Sequence, residues 1–499
     1  MVAERECRSE AMTRDRAQRS LIVAAMLAVA CGCGGCSHHN RMKDVVDAFD
    51  DGDFSKAHSQ MQPVWEKYHD EAVDAVIFDL EQGTIARAAG QWDASILAFD
   101  ESWNRMEPYL DIAADTKVTE EVAAAMTNQS VRTYRGTTYD RILACTYQAM
   151  NYLQIGDPAK AGVEFVRARR WQEDAVDRER ARIDKENQEW RDANEREGAK
   201  YQPQSTLDSP EFREKLDAAY QPMAQFQGYA DYEVPFATWM RGVFYLGRGA
   251  PGDYEQARQC FARTAGMLGK HGGAQVAGDA LLASDLAGGR APQRLCYIVL
   301  ESGLAPSRKE LRIDIPLFLP GVPYVGAAFP QLEYHASAID GFHARVGSQA
   351  PSSTILTDVD SIVTVDFRNR LPAIILATLV SSASKAAVSY ALYAGSQNAS
   401  RSQNGGSAAG VLAVLYLASV LYQVAVNNAD LRTWESLPKQ FWYARVYLPP
   451  TGGEIDITLA DGTAIGSVRP TDEMVSVVYL KSVAPGTPLA VHTFGIPRQ

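Results

Sequence analysis

The sequence predicts an α+β protein: an N-terminal all-α array of helical hairpins, followed by a β-sandwich-like domain that an apolar helical pair interrupts. Two observations predict this class. Small and aromatic residues recur at helical spacing after glycine turns as far as residue 291, and from residue 292 many segments alternate at the two-residue period of strands. The 499 residues, 46% hydrophobic and 22% charged, are enough chain for two or three hydrophobic cores.

The charge balance disfavours one class of partner. Lys and Arg total 49 against 61 Asp and Glu, so the net charge at pH 7 is −12. An acidic surface repels the phosphate backbone of nucleic acids, and we therefore expect no nucleic-acid partner. The same charge is typical of many soluble proteins and indicates nothing more about function.

The N-terminus has the parts of a secretory signal. Basic residues between 14 and 19 precede the apolar run SLIVAAMLAVA, residues 20–30, which is too short to span a bilayer comfortably as a helix. The run ends at Ala28-Val29-Ala30-Cys31, which resembles the lipobox of bacterial lipoproteins although Ala28 stands where Leu is usual. In such signals the cysteine becomes the first residue and carries acyl chains. The resemblance implies a signal peptide at 1–30, lipid attachment at Cys31 and a tether at 31–43.

A metal or redox site is the alternative explanation of the same stretch. Cys33 and Cys36 with His38 and His39 offer thiolate and imidazole ligands, which zinc prefers. A structural zinc site usually combines two ligand pairs separated by a folded segment, and a redox C-x-x-C motif needs a βαβ context that does not follow here. We therefore expect no metal and no cofactor. The other well-separated cysteines are expected to be single core residues: Cys145, Cys260 and Cys296.

Three segments before residue 291 share one pattern of helix, glycine turn and second helix. A small residue lies five positions after the turn glycine and a phenylalanine lies nine positions after it. The small residue lets two helices approach closely, and the aromatic ring fills the gap to the next hairpin. The residues expected to pack the hairpins are Gly90, Trp92, Ser95 and Phe99; Gly156, Ala161 and Phe165; and Gly252, Tyr254, Ala257 and Phe261.

This pattern resembles the tetratricopeptide repeat, over residues 44–291 and with irregular spacing. Such arrays commonly present a concave binding surface, while an all-α bundle without a groove is the alternative. Between the second and third copies, residues 164–200 are rich in good helix formers and mixed charges. They predict a long, solvated, charged helix, because acidic and basic residues at i, i+4 spacing support an isolated helix.

The second half, residues 292–499, is predicted to form an immunoglobulin-like sandwich with an insert at 371–435. Alternation such as that in GEIDITLADG is typical of half-buried antiparallel strands. The insert contains two apolar segments, 371–395 and 408–426, rich in Ala, Ser and Gly. We expect a buried or interfacial helical pair, since Lys385 lies midway along the first segment. A transmembrane hairpin is the alternative.

Three segments resemble an uncharacterised family of bacterial lipoproteins with tetratricopeptide-like N-terminal halves: Tyr297 to Pro320, Phe367 to Ala387 and Asn428 to Pro449. The resemblance implies a membrane-anchored protein of the bacterial cell envelope whose body faces the periplasm or the cell exterior. It supplies no catalytic residue. We expect a non-catalytic scaffold that binds an envelope protein or peptide through its helical repeats and contacts the membrane through its N-terminal acyl chains.

Polar residues within these segments have two interpretations. Asp430, Arg432 and Trp434 are predicted to form a structural motif in which an acid–base pair and an aromatic ring lock the apolar helix to the next strand; a ligand site is the alternative. The four charged residues Glu301, Arg308, Lys309 and Arg312 belong to a polar surface or to the edge of a hairpin.

An enzyme, in particular a metal-dependent hydrolase, is the remaining hypothesis. The sequence contains neither an H-E-x-x-H motif nor a G-x-S-x-G nucleophile elbow. His335 and His343, with Glu333 and Asp340, form a loose cluster that is typical of surface loops. The sequence therefore predicts no catalytic residue.

Overall fold

The computed structural model describes residues 38–110, 132–196, 201–319, 322–400 and 429–499, apart from the single residues 72, 174, 230 and 231. Its α-helices are α1 His38–Asp50, α2 Phe54–Tyr68, α3 Ala75–Ala88, α4 Trp92–Met106, α5 Thr138–Gln154, α6 Pro158–Gln172, α7 Ala175–Arg196, α8 Pro203–Leu207, α9 Pro210–Tyr220, α10 Pro235–Arg248, α11 Asp253–Leu268, α12 Gly273–Ala287 and α13 Val359–Ser400. Its strands are β1 Leu295–Ser302, β2 Ser307–Leu319, β3 Val322–Glu333, β4 Phe342–Arg345, β5 Thr354–Asp358, β6 Gln440–Tyr447, β7 Ile455–Leu459, β8 Ala464–Val468, β9 Val475–Ser482 and β10 Ala490–Gly495. The predicted class, α+β with helices preceding sheets, is confirmed.

Glycine turns join the helices of each hairpin. Gly90, between α3 and α4, and Gly156, between α5 and α6, adopt φ angles of +74° and +78°, which residues with a Cβ rarely reach. The next helix is then started by its cap: the Asp157 side chain accepts a hydrogen bond from the backbone N–H of Lys160 at 3.0 Å. A matching cap at Asp53 begins α2 after the positive-φ residue Gly52.

The two helices of a hairpin approach so closely that a glycine is required at the contact. A Cβ on Gly83 of α3 would lie 2.6 Å from the ring of Phe99 in α4. In the α10–α11 hairpin, a Cβ on Gly242 would lie 2.8 Å from the ring of Phe261. The sequence pattern identifies the two phenylalanines but not their glycine partners, which lie seven residues before Gly90 in one hairpin and ten residues before Gly252 in the other.

A five-stranded sheet follows the helices in the order β10-β9-β1-β6-β5. Strand β1 pairs in parallel with β9, and the other pairings in this sheet are antiparallel. Because side chains alternate across a strand, Tyr297 and Val299 of β1 join the core that contains the helices, while Cys296 and Ile298 join a second core. The second core is shared with the small sheet β4-β7-β8.

The predicted immunoglobulin-like sandwich is therefore corrected. Two β layers do face each other, but the larger sheet is mixed, and its other face is covered by helices. Phe236 of α10 stacks on Phe441 of β6 with ring centroids 4.0 Å apart, and Trp239 lies 5.2 Å from Tyr297. The physical reason is that β1 and β9 are buried along their whole length, as strands covered on both faces must be.

Only the first segment of the predicted apolar helical pair lies within the described residues. Its first segment lies within α13, which begins at Val359, twelve residues earlier than predicted, and its second segment, 408–426, lies outside the described residues. Helix α13 packs on α7 and β3, and burial lowers the pKa of Lys385 to about 8. Among the residues that the structure describes, none of the helices combines the length and apolarity needed to cross a membrane.

The predicted tether, 31–43, and the predicted long charged helix, 164–200, have different boundaries in the structure. Helix α1 begins at His38, so residues 38–43 are helical although they were assigned to the tether. The long charged helix at 164–200 is divided into α6 and α7, because Glu173 is extended and Arg178 donates hydrogen bonds to the carbonyls of Trp171 and Glu173 at the end of α6. Helix α7 is not solvated on all sides, because its residue Trp190 is buried against α13.

Replacing Gly83 with Ala tests the close contact within the α3–α4 hairpin. The added methyl group overlaps the Phe99 ring, and we expect a loss of about 1–3 kcal/mol in the free energy of unfolding in spite of the better helix propensity of Ala. Gly278→Ala in α12 is the matched control, because its Cβ would meet nothing within 4 Å; it should leave stability unchanged or raise it by up to about 1 kcal/mol. Chemical denaturation measures both, and a Gly83→Ala protein as stable as the wild type would contradict the packing model.

Candidate functional site

Residues 429–439, here called the crossing segment, precede β6 and lie against helices α3, α4 and α5. The indole N–H of Trp434 donates to Thr84 Oγ1 of α3 at 3.0 Å. The Trp434 ring lies 6.1 Å from the ring of Phe99 in α4 and 6.0 Å from that of Tyr147 in α5. The helical hairpins therefore contact an irregular stretch of their own chain.

The backbone of the crossing segment is bound by a carboxylate of α3. Glu81 accepts hydrogen bonds from the backbone N–H groups of Glu435, at 2.6 Å, and Ser436, at 3.3 Å. Burial, followed by the nearby Glu435 carboxylate, raises the pKa of Glu81 to about 8. Sequence analysis missed Glu81; the available signal was the polar stretch Glu81-Gln82 in the middle of an apolar helix.

Asp430 and Arg432 lie together at the start of the crossing segment. The Arg432 guanidinium makes two hydrogen bonds of 2.8 Å to the Asp430 carboxylate, a bidentate pair, and donates to the carbonyl of Val73 and to Asp74 ahead of α3. Burial alone would raise the pKa of Asp430, but Arg432 lowers it to about 2. Together with Trp434, these residues join the crossing segment to the helices; sequence analysis had expected them to lock the apolar helix to the next strand.

Two further buried carboxylates link the central sheet to the helices. Glu301 of β1 accepts a hydrogen bond from Lys481 of β9 at 2.6 Å and others from Tyr147 of α5 and Tyr479 of β9. Although burial opposes its ionisation, Lys481 keeps the pKa of Glu301 below its ordinary value. Asp279 of α12 makes the second link. It forms an ion pair with Arg445 of β6 and accepts hydrogen bonds from the hydroxyl groups of Tyr297 and Tyr443.

The predicted repeat-packing residues lie at the turns and inside the hairpins. Ala161, Phe165, Ala257 and Phe261 are buried, whereas Gly156 and Gly252 are exposed turn residues. Trp92 is half-buried and meets His492 of β10 edge to face at 4.8 Å, and Tyr254 is half-buried. Cys31 lies outside the described residues.

The two histidines of the predicted loose cluster, His335 and His343, lie in different parts of the fold. His335 and Glu333 line a cavity of about 200 Å³ with Asp50, Glu81 and Ser307, and His335 Nε2 lies 3.2 Å from Ser307 Oγ. His343 instead contacts Ser352 in the small sheet. Burial lowers the pKa of His335 and raises that of Asp50 to about 6. Within the described ranges no three His, Cys, Asp or Glu side chains are grouped so that they could hold a metal ion.

The fold and site define an α+β protein whose helical hairpins bind an irregular segment of the same chain. No family model and no curated protein matches it. A solved structure that does match is that of a tetratricopeptide repeat protein from Parabacteroides merdae, 14% identical, covering 50% of this chain and 100% of its own, with a TM-score of 0.14. At this TM-score the likeness carries no argument about fold or function.

Replacing Arg432 with Met tests the junction between the crossing segment and the helices. The change removes the bidentate partner of Asp430, whose side chain is partly exposed, while Asp74 keeps Arg41 at 3.6 Å. We expect a loss of about 1.5–3 kcal/mol in the free energy of unfolding at pH 7, typical of lost hydrogen bonds between charged groups. Arg312→Met breaks the exposed pair with Glu310 and should cost at most about 1 kcal/mol.

The same pair has a defined pH dependence. Because the folded-state pKa of Asp430 is lowered to about 2, its contribution is complete above pH about 4 and is lost as the pH falls towards 2. The stability difference between wild type and Arg432→Met should therefore shrink over that interval in denaturation curves. A difference that is small at pH 7, or that grows on acidification, would contradict this account.

Proposed function

We propose that the protein is a non-catalytic lipoprotein of the bacterial cell envelope, a scaffold that binds an envelope protein or peptide through its helical hairpins. The leader pattern and Cys31 support the membrane anchor. Helix α1 begins at His38, so the six residues between it and Cys31 span at most about 20 Å when fully extended. Acyl chains on Cys31 would therefore hold the helical body close to the membrane surface, facing the periplasm or the cell exterior.

The surface offered to a partner differs from the one that a repeat array usually offers. Trp434 and Glu435 of the crossing segment occupy the face of α3, α4 and α5 where a bound peptide would be expected. A protein partner must therefore use another face of the hairpins. We assign it to the exposed side of the second helices, α4 and α6.

One observation carries this assignment. Leu97 of α4 and Val163 of α6 are 51% and 52% exposed, and each lies seven residues after the turn glycine of its hairpin. Val166 of α6 is 49% exposed. Apolar side chains exposed at equivalent positions of consecutive hairpins suit a docking surface. Contact between these side chains and water is unfavourable, and a bound partner would bury them.

Charge introduced on this face should abolish partner capture. In gentle detergent extracts, we expect the wild type to enrich one defined envelope protein and the Leu97→Glu, Val163→Glu double variant to recover at least tenfold less of it. Leu281→Glu is the matched control, since Leu281 is 69% exposed but lies on α12, and should bind as the wild type does. Point variants are preferable to deletion of α3 to α6, which would remove the helices that hold the crossing segment. Equal recovery by the double variant would reject this surface.

Lipid attachment is tested separately, by labelling cells with a fatty-acid analogue. We expect label on the wild type and on Cys33→Ser, and neither label nor membrane association for Cys31→Ser, because the acyl chains supply the membrane affinity. A labelled Cys31→Ser protein, or an unlabelled wild type, would contradict the assignment of Cys31.

A further inference from the structure

A cavity of about 120 Å³ is lined by α13 and by Asp430 and Arg432 of the crossing segment. Its walls come from residues 132–137 ahead of α5, from α7, from the start of β2, from α13 and from the first residues of the crossing segment. Two carboxylates, Glu186 and Asp430, reach its surface. The arginines that line it are Arg132, Arg135, Arg182, Arg308, Arg370 and Arg432.

Arg432 and Arg132 donate hydrogen bonds to the two carboxylates that line the cavity. Arg432 is held by Asp430 and Asp74, as described above. Arg132 donates to Glu186 at 2.9 Å. Both of the carboxylates that line the cavity are therefore engaged, and Glu186 also lies 4.0 Å from Arg182.

Three arginines on three different elements make no hydrogen bond to a carboxylate within the described ranges. Arg182 of α7 lies 3.7 Å from Glu179 and 4.0 Å from Glu186, and its buried Nη1 makes no hydrogen bond there. Arg370 of α13 has only contacts of 3.8 and 3.9 Å, with Asp366 and Glu179. Arg308 of β2 forms neither an ion pair nor a hydrogen bond within the described ranges, and its Nε is buried. Buried donors left without acceptors are costly, which indicates that an acceptor is supplied from outside.

The carboxylates near Arg370 lie too far away to accept hydrogen bonds from it, with Asp366 at 3.8 Å and Glu179 at 3.9 Å. Both oxygens of Asp366 are buried without a hydrogen-bond partner, and burial together with Glu179 raises its pKa to about 8. Glu179 lies between Arg182 and Arg370 but makes no hydrogen bond with either. Phe367, Ile374 and Trp190 add apolar groups to the lining of the cavity.

We propose that this cavity binds a phosphate group, with Arg182, Arg308 and Arg370 as its ligands. Guanidinium forks match the oxygens of phosphate in bidentate geometry, and a doubly charged anion offsets an excess of positive charge better than a single carboxylate does. A cavity of about 150 Å³ holds one benzene-sized molecule, so this one admits a single phosphate group and leaves any attached moiety at the opening. The proposal does not depend on the scaffold function.

The test is calorimetric titration of the full chain in detergent with inorganic phosphate, at constant ionic strength set by chloride. We expect saturable binding by the wild type and at least tenfold weaker binding by Arg308→Gln and by Arg370→Gln. Arg312→Gln is the matched control: Arg312 lies on the same strand as Arg308 but is exposed and paired with Glu310, and its loss should change the affinity less than twofold. Thermal unfolding checks the variants, because bound phosphate should raise the Tm of the wild type and of Arg312→Gln only.

Further measurements test the proposal and identify the source of the phosphate group. Glycerol 3-phosphate binding tenfold more tightly than inorganic phosphate would support a lipid-headgroup source, and equal affinities would support free phosphate. Absence of binding by the wild type, or equal binding by Arg308→Gln in its folded form, would overturn the proposal. Tighter binding of succinate than of phosphate would also overturn it, since the site would then select carboxylates.

Discussion

The central five-stranded sheet is apolar on both faces, and each face is covered by another layer of the fold. Its middle strands, β1 and β9, are buried along their whole length. The small sheet covers one face and the helical hairpins cover the other, through contacts such as Phe236 on Phe441. Since burial of apolar surface is the main stabilising contribution to folding, the helices and the sheet share one core and depend on each other.

Buried polar groups at this interface specify how the layers meet. Glu301 reaches from the sheet to Tyr147 of α5, and Asp279 reaches from α12 to Tyr443 of β6. Both carboxylates have several donors, so a shift of the helices along the sheet would leave a buried charge without its partners. The crossing segment adds a third connection, in which Glu81 binds backbone N–H groups and Trp434 fills the space between α4 and α5. Apolar contact provides the attraction, and these groups select one arrangement.

Local patterns in the sequence predicted local structure well. The glycine turns at Gly90 and Gly156, the buried Phe99 and Phe165 and the change from helical to strand period near residue 292 follow from neighbouring residues alone. The parallel pairing of β1 with β9 joins strands about 180 residues apart, and no local pattern indicates it. The three arginines at 182, 308 and 370 appear unrelated in sequence for the same reason: a helix, a strand and a second helix bring them together. The repeat pattern correctly predicted hairpins, but it could not show that another part of the chain lies on their surface.

The position of the crossing segment affects how the chain reaches its native state. The hydrogen bond from Trp434 to Thr84 joins residues 350 positions apart, so the pocket between α3, α4 and α5 stays open until almost the entire polypeptide has been synthesised. Closing so long a loop is entropically costly, and contacts of this separation form late and slow folding. During that delay Phe99 and Tyr147 lack the indole that covers them, and the nascent helical half is exposed to aggregation. A chaperone that shields these aromatic side chains during biosynthesis would protect the protein at its most vulnerable stage.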